Sequence, residues 1–146
     1  MATDWQTATA TLRLSAALVD GIQAGLRTRG FDDVRPVHGF AFAALSGGDT
    51  TTSGLAAALG ITKQAAAQLV EHLVARGYVT RVPAPHDGRA RVIVLTERGH
   101  ACTAAAEQAA AAVVDTWRRQ LDPPTFDAFT HALGGLAEPG RLRPIW

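Results

Sequence analysis

The chain has 146 residues, 47% of them hydrophobic, one cysteine and a formal net charge of +1. That is long enough for one domain with a real core, and it excludes both an internal disulfide and a polycation that binds partners through bulk charge. The first ten residues carry no basic start and no apolar core, and no uncharged run approaches the roughly 18 residues of a membrane span. The expectation is a cytoplasmic protein with no signal peptide and no membrane partner.

Trp5, Leu12, Val19 and Leu26 recur at heptad spacing, with Ala8, Ser15 and Ile22 at the complementary positions. The pattern predicts a helix over about residues 3–29 whose seam needs a partner, in its own core or on a second subunit. Gly21 and Gly25 weaken that helix by about 1 kcal/mol each relative to Ala. Gly30, Asp32, Asp33 and Pro36 break it, and a second helix is expected over 37–45 with Phe40, Ala41, Ala44 and Leu45. Residues 46–49 read as a turn, since their Gly pair lacks the full phosphate-loop pattern. Ser53 is the expected N-cap of a short helix over 54–59, Gly60 the tight turn, and Thr62 the N-cap of a helix reaching Ala75. In that helix Ala66, Leu69, Val70 and Leu73 take core spacing and meet Leu55, Leu59 and Ile61, while Lys63, Gln64, Ala67, Gln68 and Glu71 occupy the opposite face. Gly77 ends it. A strand over 78–82, a turn-rich tip over 83–89 and a return strand over 91–95 follow. Thr96 then caps a long helix to about Gln120, with Val113, Val114, Trp117 and Leu121 on one face. Pro123 and Pro124 break it and open a last helix over 125–136, where Phe126, Phe129, Leu133 and Leu136 form a stripe. Residues 139–146 have no clear pattern, and no internal repeat is visible.

Short helix, Gly turn, second helix and hairpin, in that order, make the layout of a winged helix-turn-helix in a mainly α chain with a small β-hairpin wing. Between residues 50 and 98 six basic side chains face three acidic ones, which suits a phosphate-facing module on a near-neutral body. Gln64 and Gln68 share a helix face, and an amide can make two hydrogen bonds to adenine, while Lys63 suits a phosphate or a guanine. Thr62 and the helix N-terminus add free N–H groups beside phosphate. Arg89 at the tip can enter a minor groove, with Arg81 and Arg91 on the flanking strands as further contacts. Asp87 can hold a nearby Arg in a bidentate pair. The competing reading of each residue is an ordinary solvated surface.

Residues 53–98 resemble the DNA-binding core of the MarR family of bacterial transcription regulators. The resemblance stands on Leu55-Ala56, Leu59-Gly60, Leu69-Val70, Leu73, Arg76-Gly77-Tyr78-Val79, Asp87-Gly88-Arg89 and Leu95-Thr96 with Gly99. It implies one domain over 1–146, with dimerisation helices in 1–35 and 100–146 and a DNA-binding lobe over 37–98. It also implies a homodimer on a pseudo-palindromic double-stranded operator, released by a small aromatic or phenolic effector or by oxidation. Gln68 departs from the family, where Arg is common at that position.

Trp5, His38, Phe40, Phe42 and Trp117 are candidate effector-lining residues, or simply core. Cys102, near the start of the long helix, offers a redox alternative, or is a small buried side chain. His38, His72, His86, His100 and His131 show no metal spacing, and no cofactor motif or nucleophile elbow appears, so neither a metal, a cofactor nor an enzyme is expected. A winged helix used only for protein contacts is the remaining alternative.

Overall fold

The computed structural model describes residues 1–137; the patternless stretch 139–146 of the sequence lies outside them. The chain order is α1 (Asp4–Thr28), α2 (Pro36–Ser46), α3 (Thr52–Leu59), α4 (Lys63–Ala75), β1 (Val79–Ala84), β2 (Asp87–Leu95), α5 (Glu97–Gln120) and α6 (Pro123–Leu136). It divides into two compact units. One is Met1–Asp33 with the stretch that starts at Ala105, the other Val34–Ala104, so α5 begins in one and ends in the other. No helix of the described residues is long and apolar enough to cross a membrane.

In the first unit α1 opens on a capping box. Thr3 Oγ1 accepts the N–H of Gln6, and Gln6 Oε1 accepts the N–H of Thr3. The two glycines that weaken α1 as a helix have a packing reason. A methyl at Gly21 would meet the Val113 side chain, and one at Gly25 would meet Ala109, whose Cα lies 3.3 Å away. Small residues therefore let α1 and α5 approach closely. Leu26, Ala105, Ala109 and Phe126 are buried. Trp117 packs edge-on against Phe129, with ring centroids 6.2 Å apart. The heptad seam is covered only toward its end: Trp5 is 76% and Leu12 58% exposed, and Leu133 and Leu136 are exposed too.

The prolines act as openers of helices. Pro36 and Pro123 take the first helical position of α2 and α6, where a missing N–H costs nothing. α6 therefore starts earlier than the sequence pattern implies, and Asp122 is its cap. The Asp122 carboxylate accepts the Thr125 hydroxyl at 2.6 Å and the Thr125 N–H at 3.1 Å. These bonds, the hydroxyl first, hold its carboxyl below the usual carboxylate range. A folded-state pKa that is lowered stabilises above the unfolded value, and the contribution is lost as pH falls through the lowered value. Asp122→Ala should thus lower the melting temperature at neutral pH and lower it less in acid. Equal losses at both pH values would contradict the cap.

In the second unit α2, α3 and α4 bury His38, Ala41, Phe42, Leu45, Leu55, Ala56, Leu59, Ala66, Leu69, Val70 and Leu73 around Tyr78, Val79, Ile93 and Cys102. α3 is capped by Thr51, not Ser53: Thr51 is extended (φ −82°, ψ 168°) and its hydroxyl accepts the N–H of Gly54 at 3.1 Å. Ser53 is already helical and cannot cap. Gly60 sits in the left-handed region (φ 67°), which lets the chain turn from α3 into α4. α4 ends in a Schellman motif, with Gly77 (φ 77°) donating to the Val74 carbonyl and Tyr78 to that of Leu73.

β1 and β2 pair antiparallel from Val79–Leu95 to Pro83–Arg91. The register then jumps to Ala84–Asp87. The tip is therefore tighter than the expected loop over 83–89: only Pro85 and His86 lie between the strands, and Gly88, Arg89 and Ala90 form a bulge with no partner in β1. Pro83, which has no N–H to donate, stands at the break. Ile93 also takes a bridge from Thr50, its N–H donating to the Thr50 carbonyl at 2.7 Å, a third edge that nothing in the alternation signalled.

Candidate nucleic-acid interface

Every expected DNA contact belongs to the second unit. Thr62 Oγ1 accepts the N–H of Ala65 at 3.1 Å and fixes the start of α4. Such a cap is worth about 1 kcal/mol and leaves further first-turn N–H groups open to an anion. Apolar spacing then sets the rotation of α4. With Ala66, Leu69, Val70 and Leu73 buried, Lys63, Gln64, Gln68 and Glu71 are exposed on the other side and Ala67 is half-buried between them. A helix with a capped, positive N-terminal end and two amides one turn apart can enter a major groove and read base edges.

The wing carries three arginines in different situations. Arg89 and Arg91 are exposed, and among the described residues neither has an ion pair. Arg89 sits in the bulge. Among the described residues Asp87 holds no arginine side chain; its Oδ1 accepts the Arg89 backbone N–H at 3.0 Å, an Asx turn that shapes the tip. Arg81 is half-buried on β1, and its Nη2 donates to Glu71 Oε1 of α4 at 2.6 Å. That contact crosses from strand to helix and has no sequence signature.

The expected effector residues have other engagements. His38 is buried, and its Nδ1 accepts the N–H of Arg35 at 3.0 Å, closing the start of α2; its ring lies 4.8 Å from that of His72. Phe42 is buried against Tyr78 at 5.4 Å between centroids. Phe40 is half-buried, Trp117 packs on Phe129, and Trp5 stands in the open. Cys102 is fully buried on α5. Among the described residues no three His, Cys, Asp or Glu side chains are grouped to hold a metal.

Residues 33–90 match the family model described as the MarR family. Among curated proteins, none matches the chain's sequence. Solved structures share the fold along nearly the whole chain. The crystal structure of RV1404 from Mycobacterium tuberculosis is similar with a TM-score of 0.81 at 21% identity, covering 96% of each chain. Apo MarR from E. coli is similar at 0.71 and 17% identity, over 88% of this chain and 95% of that one. CouR from Rhodococcus jostii RHA1, solved with p-coumaroyl-CoA bound, is similar at 0.64 and 20% identity, over 89% and 90%. These likenesses carry the fold, and over residues 33–90 the chain is similar to the MarR family.

Proposed function

We propose that this chain is a transcription regulator of the MarR family that binds a pseudo-palindromic DNA operator as a homodimer and acts as a ligand-responsive repressor. The observation that carries the reading is the exposed face of Lys63, Gln64 and Gln68 on a capped helix, in one unit with a wing whose Arg89 projects from a bulge. Side chains that reach base edges, a helix N-terminus that favours phosphate and an unpaired cation for a minor groove are the parts a duplex reader needs. DNA binding and repression are typical of the family.

The dimer is supported by apolar side chains that the chain leaves uncovered. Trp5, Leu12, Leu133 and Leu136 lie on α1 and α6, and large exposed apolar residues on two amphipathic helices suit an interface. For release we propose a small aromatic or phenolic effector, since CouR holds p-coumaroyl-CoA on the same fold. Trp5, His38, Phe40, Phe42 and Trp117 are the positions to probe for it.

Selection of duplexes from a random pool tests the reading. The expected product is an inverted repeat whose half-sites lie about one helical turn apart, 34–36 Å, bound by a dimer in light scattering. Failure to enrich any sequence, or enrichment of a single half-site bound by a monomer, would overturn it.

A further inference from the structure

We infer that Glu71 is a specificity-determining residue of the DNA-facing surface: it holds Arg81 away from the phosphate backbone, so that the base of the wing contributes orientation and not sequence-independent affinity. The inference rests on the DNA reading above and deepens it.

Glu71 lies three residues after Gln68 and seven after Gln64, so it shares their helix face. An isolated carboxylate there would repel phosphate. An isolated arginine beside it would bind any phosphate, whatever the sequence. The structure places the two together. Arg81 stands opposite Ile93 in the hairpin and reaches back to α4, where its Nη2 meets Glu71 Oε1 at 2.6 Å. The arginine side chain is 32% exposed and the glutamate 69%, so the guanidinium is the more desolvated partner. At 2.6 Å the contact is slightly shorter than the roughly 2.7–2.9 Å of a charge-assisted N–H···O bond.

In the free protein such a surface pair adds little to folding stability, because water screens it. Its weight changes when a duplex covers the face. Loss of water lowers the local dielectric, and the pair strengthens. A phosphate must then compete with a carboxylate already in contact. Arg81 is thereby set apart from Arg89 and Arg91, which among the described residues have no carboxylate partner. The pair also links the first strand of the wing to α4, which fixes where the bulge at Arg89 lies relative to Gln64 and Gln68.

Salt dependence separates a masked arginine from a working phosphate contact. Each phosphate neutralised adds about 0.9 to the slope of log affinity against log salt. Binding to a mixed-sequence duplex and to the duplex selected by the wild type is measured over a salt series for Glu71→Gln, Arg81→Gln and the double variant, with circular dichroism showing that each is folded. Glu71→Gln is expected to steepen the slope by about 0.9, a further threefold to fourfold change in affinity between 50 and 200 mM salt. It is also expected to lower the ratio of selected to mixed-sequence affinity. The double variant should keep the wild-type slope, since removing a neutral pair releases no counterion. If the double variant instead loses about 0.9 of slope, Arg81 is a phosphate contact in the wild type and the inference is overturned. An unchanged slope and ratio in Glu71→Gln overturn it as well. A wild type with no salt-dependent binding to either duplex overturns the DNA reading itself, and this inference with it.

Discussion

Gly99→Ala should destabilise the second unit by about 3 kcal/mol, the largest loss expected from adding one methyl group anywhere in this lobe. The added Cβ would fall on the backbone carbonyl oxygen of Tyr78, with Leu95 Cδ2 at 2.9 Å and Leu95 Cβ at 3.3 Å beyond it. A clash with a flexible side chain can relax. This one is with a carbonyl that already accepts the Thr96 N–H at 3.0 Å, just where β2 passes into α5. Thr96 in turn bonds the Gly77 carbonyl and accepts the N–H of Gly99, so strand, helix end and helix start are tied at one point. Moving Tyr78 also disturbs its buried ring against Phe42 and its hydroxyl bond from Arg98 at 3.0 Å. Gly39→Ala is the matched control. Nothing lies within 4 Å of its added Cβ, and the site is inside α2. Helix propensity alone then predicts a gain of up to about 1 kcal/mol. Urea melts of the two variants should move in opposite directions. Equal shifts would mean that the close approach at Gly99 does not exist.

The second large effect is expected at Arg89. Arg89→Ala should weaken binding to all duplexes and reduce the salt slope by about 1, because a cation at a wing tip adds affinity without reading bases. Gln68→Ala should behave differently. It should reorder the affinities of operator variants, with about 1–3 kcal/mol at stake for a good bidentate contact. The contrast follows from position. Arg89 projects from an unpaired bulge at the end of the hairpin, whereas Gln68 stands on the exposed face of a helix whose other side is core. Titrations of both variants against a selected operator and its point-substituted versions check this. If Gln68→Ala lowers every affinity equally, Gln68 is not a base contact.

Most of this architecture is legible in the sequence because local rules set it. Gly60, Thr62 and Gly77 announce the turn, cap and stop of α4 through left-handed and hydroxyl chemistry that operates within a few residues. The apolar spacing of Ala66, Leu69, Val70 and Leu73 fixes which face of α4 is free. Failures occur where several local choices are equivalent or where the deciding contact is distant. Four hydroxyl residues run from Thr50 to Ser53, and only the backbone angles at Thr51 select the cap. The tip over 83–89 holds two prolines and a glycine, which signal a turn but not the register jump that shortens it to two residues. His38 reads as a candidate effector-lining residue or as core, and the N–H of Arg35 that it accepts at the start of α2 is a contact that helical spacing does not show. Arg81 reads as a further DNA contact, and its ion pair does not show in the sequence. Its partner Glu71 lies ten residues back on another element, and strand-to-helix pairing at that range leaves no periodic trace.

Methylation of the selected operator by dimethyl sulfate reads both grooves of the bound duplex at once, because the reagent reports the major groove at guanine N7 and the minor groove at adenine N3. Guanine N7 protection is expected in two successive major grooves about 34–36 Å apart, one for each copy of α4. Adenine N3 protection is expected where the wing tips lie, lost in Arg89→Ala while the guanine pattern persists. A bound complex that leaves every guanine N7 reactive, or protects one groove alone, would contradict this placement of α4.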